Sequence, residues 1–244
     1  QWKEDVFPEC DQFNGIHEGL VQSWKDIFPK KGEIHFAGAL ENNEDTGTLQ
    51  YLASTAMEAG FSTRVLDMQA LDLQNGRFFD PAGELVNRCF KLYPWEWMVD
   101  ESPDGCLAEM EWLEPIWKLV MSNKAILATL YELFPDSPYV LPCYLSRPRS
   151  GLFCKKPVFS REGHNVSVVD IRDWEEYVRI AETEGDYNTG AYVYQEYVEP
   201  TVYSGRYPVI GSWIIGGEAA GIGIRENRME VTDNLSEFVP HIIG

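Results

Sequence analysis

The run Cys154-Lys155-Lys156-Pro157-Val158-Phe159-Ser160-Arg161-Glu162-Gly163-His164-Asn165 has residue types suited to holding an anion. It lies in a window, Arg147 to Arg161, that contains Arg147, Arg149, Lys155, Lys156 and Arg161 and no acidic residue. The whole chain carries 39 Asp and Glu against 20 Lys and Arg, a net charge of −19. Self-repulsion of that size turns polyanions away from most of the surface, so an isolated basic window points to one local anion. Glu162-Gly163, six residues after Lys156, supplies a polar turn that can close over it. The plain alternative is a basic hairpin facing solvent.

Residues C-terminal to this window narrow the choice of anion. Tyr192 to Pro200 reads as a strand running into an acidic edge at Gln195-Glu196-Tyr197-Val198. Tyr207 to Ile215, a Gly216-Gly217 turn and Ala219 to Arg225 read as a hairpin ending in arginine. Gly221-x-Gly223 opens no helix, so it is not a dinucleotide fingerprint. Lysine strand, Glu-Gly turn, polar strand edge and arginine hairpin come in the order expected of a nucleotide clamped between two antiparallel sheets. Lysines would meet phosphates, and the edge at Gln195–Val198 would offer backbone groups to a base.

Bulk properties exclude other classes. Nucleic acid and anionic membrane surfaces both need broad basic faces, which this chain lacks. No apolar stretch reaches the length of a spanning helix. Five cysteines form no CxxC pair and four histidines lie far apart, so reduced thiols in a cytoplasmic protein are expected rather than a zinc or disulfide framework. His164 and His241 read as ordinary structural histidines, and Cys154 as a buried strand thiol. The first residue is Gln1, not methionine, and the expectation is a removed start or a piece of a longer chain.

The elements that must position these residues fall into two parts. Ile16, Leu20, Trp24 and Ile27 have helical spacing, with Asn14 as N-cap. Glu33–Gly38 reads as a buried strand, Glu44–Ala59 as a helix and Phe61–Leu66 as a second strand, a βαβ unit with parallel pairing. Arg88–Tyr93 reads as another strand, followed by a helix on Trp95, Trp97 and Met98. From Ala108 through Trp112, and from Ile116 to Leu133, the pattern is helical, with Asn123 and Lys124 in the middle. Residues 139–244 read as strands and turns with one Asp-capped helix over Asp173–Thr183. The boundary is expected at about residue 110, giving 1–110 and 111–244.

Taken jointly, these residues resemble the glutathionylspermidine synthase family of ATP-grasp ligases. The resemblance runs through Lys91 to Trp97, Ser122-Asn123-Lys124-Ala125, Lys156 to Asn165 and Gln195 to Val198. It continues through Ile210-Gly211-Ser212-Trp213, Gly221 to Glu226 and Thr232 to His241. It covers nearly all of the chain and is nearest in type to the stand-alone acid–amine ligases without an amidase half. It implies an α/β plus α+β fold, an ATP-grasp-like nucleotide domain with antiparallel sheets preceded by a small pre-ATP-grasp-like βαβ domain. Lys124 and Lys156 would then contact ATP phosphates, with Glu162 and Gly163 in the loop covering them. Gln195, Glu196, Tyr197 and Val198 would line the adenine pocket, and Val231 and Thr232 would close it. Arg225 would be catalytic, facing the reacting carboxylate or the transferred phosphoryl group. The plain reading of Lys124 is a solvated helix lysine, and of Arg225 a partner for Glu226 or Glu230.

The implied reaction joins a peptide-like carboxylate to an amine or polyamine with ATP and Mg²⁺. The family's magnesium ligands lie on an Arg-x-Asp and a Glu-x-Asn segment, upstream of the region that Gln1 opens. Neither segment is found here, and Glu41-Asn42-Asn43 stands in the wrong context. The chain is therefore expected to be the C-terminal portion of a ligase, with its metal ligands upstream. A non-catalytic, ATP-grasp-like scaffold is the rival from another class.

Overall fold

Glu33-Ile34-His35-Phe36-Ala37-Gly38 has no polar face to give to water, and it forms β1 (Glu33–Gly38) with its last five residues buried. The computed structural model describes residues 2–173, 177–187, 190–231 and 236–244. Helix α1 (Ile16–Ile27) precedes β1, and α2 (Asn43–Glu58) leads to β2 (Ser62–Asp67), so the βαβ unit stands as the sequence predicts. β3 (Arg88–Leu92) pairs with the other side of β1, and β4 (Glu111–Leu113) with β3, giving an all-parallel sheet in the order β2-β1-β3-β4.

Strand pleating explains its two cores. Ile34 and Phe36 point to one face and join Val21, Trp24 and Phe28 of the α1 region and Leu49 and Ala53 of α2. Ala37 points to the other, with Leu66, Cys89, Trp95 and Trp112. Trp24 sets the helix pair on the sheet: its ring stands edge-on to Phe36 at 5.6 Å, and its Nε1 donates to Thr55 Oγ1 at 2.8 Å. Asn42, whose sequence context does not suit a metal ligand, caps α2, its Oδ1 accepting from Glu44 N–H at 2.9 Å.

Two compact units result. One holds Asp11–Leu119 and Ser212–Gly221; the other holds the segment ending at Cys10, Val120–Gly211 and Ile222–Gly244. In the second, α3 (Ala125–Leu133) is followed by β5 (Cys143–Tyr144), β6 (Gly151–Pro157), β7 (Ser167–Ile171), β8 (Tyr177–Glu182) and β9 (Tyr192–Glu196). These five strands form an antiparallel sheet ordered β8-β7-β6-β9-β5. β10 (Tyr207–Ile215), β11 (Glu218–Asn227) and β12 (Glu237–Val239) form a separate three-stranded sheet.

Three local expectations need correction. Glu111–Leu113 is a strand, not part of a helix, because its backbone completes the open edge of β3. Helix character between Ile116 and Leu133 breaks at Asn123-Lys124, where Asn123 Oδ1 accepts from Ala125 N–H at 2.8 Å and starts α3 anew. The expected helix over Asp173–Thr183 is β8 at Tyr177–Glu182. Its Tyr-Val-Arg-Ile sequence suits a pleated edge, and the well-buried β7 supplies the backbone partners that outweigh helical spacing.

The first unit generates two predictions. A Cβ on Gly38 would lie 2.9 Å from Leu49 Cδ1 and 3.0 Å from Leu92 O. Gly38→Ala is thus expected to destabilise by about 1–3 kcal/mol in urea denaturation, with an unchanged midpoint refuting the packing. Asp80, buried at 5% exposure, is held below the usual carboxylate range by Glu84 N–H, then by Ala82 N–H and by Arg64, against the effect of burial. A depressed folded-state pKa gives stability that is present above the unfolded value and lost as pH falls through the folded one. The stability gap between wild type and Asp80→Asn should be widest at neutral pH and shrink as the pH falls through and below the usual carboxylate range. A gap independent of pH would contradict this.

Candidate functional site

Register decides where the lysines of β6 point. Lys156 stands opposite Val193, Lys155 opposite Tyr194 and Cys154 opposite Gln195. Period-two alternation therefore puts Cys154, Lys156, Val193 and Gln195 on one face, and Phe153, Lys155 and Tyr194 on the other. On the first face, Lys156 Nζ donates to Gln195 Oε1 at 2.7 Å. On the second, Lys155 Nζ sits 4.0 Å from the Tyr192 ring centre, and the Arg147 guanidinium 5.0 Å from that of Tyr177. The basic window is thus divided between two faces of the sheet and does not form a single patch. Burial pushes the Cys143 and Cys154 thiols up, with Lys156 opposing it in both, so neither is a ready thiolate.

Lys124 reaches the same stretch of chain from another element. As the residue before α3, it donates its backbone N–H to Val158 O at 2.8 Å. Its Nζ donates to Ser160 O at 2.5 Å and Ser160 Oγ at 2.9 Å. The helix break at Asn123 makes this possible, since Lys124 sits at a helix start next to β6 and not in mid-helix.

Downstream, the turn carrying Glu162 and Gly163 is locked in place. Glu162, Gly163 and Asn165 have positive φ of 54°, 73° and 55°. Asn165 Nδ2 donates to Gly185 O at 2.9 Å, and its Oδ1 accepts from Tyr187 N–H at 2.7 Å. Thr183 Oγ1 donates to Gly163 O. A cleft of about 590 Å³ opens beside it, lined by His164 from the turn, Ile180 to Glu184 from β8 and beyond, and Met229, Glu230 and Val231.

The remaining predicted residues are distributed around this region. Gln195 and Glu196 end β9, where Glu196 N–H donates to Pro142 O at 2.8 Å and Tyr197 N–H to Leu152 O at 3.0 Å. Tyr197 Oη donates to Glu230 Oε2 at 3.0 Å, and burial, followed by that bond, pushes its hydroxyl up to about 12. Val198 is exposed. Arg225 lies on β11 opposite Phe238, its guanidinium 5.9 Å from that ring's centre. Thr232 lies outside the described residues.

The structure therefore joins Lys156 to Gln195, Lys124 to Ser160, and Tyr197 to the residue before Val231. Of the predicted residues that are described, only Val231 lines the cleft itself. Sequence reasoning gave Ser160 and Asn165 no role beyond membership of the opening run, missed Thr183, read Glu230 only as a partner for Arg225, and set His164 aside. The dense polar run from Ser160 to Asn165 was the available signal for the first two. Among the described residues no three His, Cys, Asp or Glu side chains group closely enough to hold a metal ion, and no helix is long and apolar enough to cross a membrane.

Comparison with known proteins gives these elements a family. A Haemophilus influenzae protein named "Putative acid–amine ligase" is 34% identical over 255 residues, covering 99% of this chain and 65% of its own. Trypanothione synthetase of Crithidia fasciculata is 28% identical, covering 98% of this chain and 41% of its own. The bifunctional glutathionylspermidine synthetase/amidase of Escherichia coli is 26% identical, covering 100% and 44%. The chain thus spans about two thirds of the first relative's length and less than half of the others'. A crystal structure of "Putative gamma-glutamylcysteine synthetase" from Methylobacillus flagellatus shares the fold, with a TM-score of 0.59 and 10% identity over 94% of this chain and 75% of that one. The family pattern described as glutathionylspermidine synthase pre-ATP-grasp matches residues 1–244 throughout, and the chain belongs to that family.

Proposed function

We propose that this chain is the nucleotide-binding portion of an ATP-dependent carboxylate–amine ligase. The observation that carries the reading is charge left uncompensated in an acidic chain. Arg64, Arg77, Arg88 and Arg206 all pair with carboxylates. Lys156, among the described residues, bonds only the neutral Gln195 amide oxygen, and Arg225 meets only the Phe238 ring. Half-buried cations without a carboxylate partner, in a chain of net charge −19, suit an incoming anion.

In this reading residues 1–110 serve as the pre-ATP-grasp-like part and 111–244 as the ATP-grasp part. Lys124 and Lys156 hold ATP phosphates, and Glu162-Gly163 covers them. Gln195 to Val198, with Val231 and Thr232, surround adenine. Arg225 stabilises charge on the transferred phosphoryl group. Carboxylates do not acylate amines directly, because an oxide ion is a poor leaving group. A carboxylate oxygen attacks the γ-phosphorus, the bond to ADP breaks, and an acyl phosphate forms. The amine nitrogen then attacks the carbonyl carbon. The C–N bond forms as the C–O bond breaks, phosphate leaves with the electron pair, and the nitrogen sheds a proton. Cations around these anions lower both barriers. Mg²⁺ would neutralise phosphate oxygens, and we assign its ligands to segments outside the described residues. The acidic surface suits recruitment of a cationic amine or polyamine.

Thermal denaturation with and without MgATP tests the first half of this reading. Wild type should gain about 2.7 kcal/mol of stability at nucleotide concentrations near 100 times Kd. Lys156→Met should lose most of that gain. A wild type indifferent to millimolar MgATP would instead favour the scaffold reading. Amine-dependent ADP release across a panel of di- and polyamines tests the second half. Arg225→Lys should bind MgATP as wild type does yet release ADP at least ~100-fold more slowly. Equal rates would remove Arg225 from catalysis.

A further inference from the structure

Resting on the nucleotide reading, we infer that Thr183 and Asn165 are positioning residues, which hold the Glu162-Gly163 turn in its phosphate-covering shape before a nucleotide arrives. The turn does not keep that shape unaided. His164 N–H donates to Arg161 O at 2.9 Å, and Glu162 and Gly163 between them have φ of 54° and 73°, the pattern of a type I′ turn. Glu162 has neither glycine's freedom nor asparagine's local hydrogen bonds to favour a left-handed backbone, so its neighbours must impose it.

Those neighbours come from one stretch, Thr183 to Tyr187. The β7–β8 ladder, which ends on the pair Ser167 and Glu182, continues past the strands through backbone bonds. Thr183 N–H donates to Val166 O at 2.9 Å and Asn165 N–H to Glu184 O at 3.4 Å. Backbone bonds of that kind would suffice to align two segments of chain. Two side chains do more. Thr183 Oγ1 donates to Gly163 O and accepts from Val166 N–H at 2.9 Å, so one hydroxyl ties the turn to the residue before β7. Asn165 Nδ2 donates to Gly185 O at 2.9 Å, and its Oδ1 accepts from Tyr187 N–H at 2.7 Å. Close packing removes the slack: a Cβ on Gly185 would lie 2.5 Å from His164 Cβ and 2.9 Å from Asn165 Oδ1. At the other end, the Lys124 ammonium holds Ser160 O at 2.5 Å and Ser160 Oγ at 2.9 Å. The turn is fixed at its entry by a cation and at its exit by Thr183 and Asn165.

A covering turn offers an anion its backbone N–H groups, and their aim is set by the φ and ψ that this brace imposes. A turn that its ligand has to order spends part of the binding free energy on that ordering, whereas one already ordered does not. The effect is confined to the phosphate end. The base end at Gln195 to Val198 has its own supports, Glu196 N–H on Pro142 O at 2.8 Å and Tyr197 N–H on Leu152 O at 3.0 Å.

Amide hydrogen exchange of the intact, ligand-free protein reads the brace directly. The His164 amide should be protected in wild type and exchange at least about 10-fold faster in Thr183→Val and Asn165→Ala, relative to its intrinsic rate. An unprotected His164 amide in wild type overturns the inference. Titration calorimetry with MgATP and with adenosine reads the consequence. Both variants should weaken MgATP about 10-fold and leave adenosine within about 2-fold, a split that general damage to the fold would not produce. Thr183→Ser keeps the hydroxyl and should bind MgATP within about 3-fold of wild type. Unchanged MgATP affinity in both variants refutes the inference, as does equal weakening of adenosine, or a Thr183→Ser protein as weak as Thr183→Val. Should either variant not fold, Gly185→Ala keeps every hydrogen-bonding group and pushes His164 and Asn165 away; unchanged MgATP affinity there refutes the inference too. A wild type that takes no MgATP sinks the nucleotide reading itself, while the exchange result still decides the brace.

Discussion

The candidate site depends on the pleat of β6. Two adjacent lysines cannot point the same way on a strand, so Lys155 goes to the Tyr192 ring and Lys156 to Gln195. The difference between those two partners matters chemically. An aromatic face satisfies part of an ammonium's need for negative charge, and Lys155 is held there. An amide oxygen supplies one hydrogen bond and no net charge, so Lys156 keeps its charge available. Shifting the register by one residue would exchange these roles and put Tyr194 where Gln195 stands. Lys124, arriving on Ser160 from the start of α3, adds a cation to the same segment only because that segment leaves β6 in this register.

This constraint shows what was legible in the sequence and what was not. The βαβ unit was readable because Ile34 and Phe36 on the strand, and Leu49 and Ala53 on the helix, follow the periods of their own elements and bury against each other. Tyr177–Glu182 was not, because Tyr177, Ile180 and Ala181 also fit a helical stripe. Its state is settled by the unpaired edge of β7, which local sequence cannot reveal. Glu111–Leu113 was misread for the same reason, since a three-residue strand has too few residues to display a period. In both, a partner distant in sequence outweighed local preference.

The site was legible as a set of residues but not as a geometry. Composition and order pointed to Lys156 and Gln195, and the family resemblance to Lys124, yet the partners that fix the neighbouring turn come from far along the chain. Asn165 is held by Gly185 and Tyr187, and Tyr197 by Glu230. Gly185 in particular offers nothing to a sequence reading except its lack of a side chain, and that lack is what lets the turn seat against it. His164 looked structural because a lone histidine among polar turn residues has no distinguishing pattern. It lines a cleft assembled from three separate stretches of chain, which no local pattern displays.

The division of charge across this region also argues for the orientation of a bound nucleotide. A pocket made only of lysines would hold triphosphate tightly but would not specify which end enters first. Here the cations lie on Ser160 and at Gln195, while the cleft beside His164 carries Glu182, Glu184 and Glu230. Entry of phosphate into that cleft would bring like charges together, an effect that solvent screens at these exposed carboxylates. A nucleoside meets no such penalty, because its hydroxyls are donors and its base is largely apolar. On the ligase reading, orientation then comes from repulsion as much as from attraction. On that reading the excess of acidic residues, which first made the basic window conspicuous, would act at close range as part of the selectivity of the site.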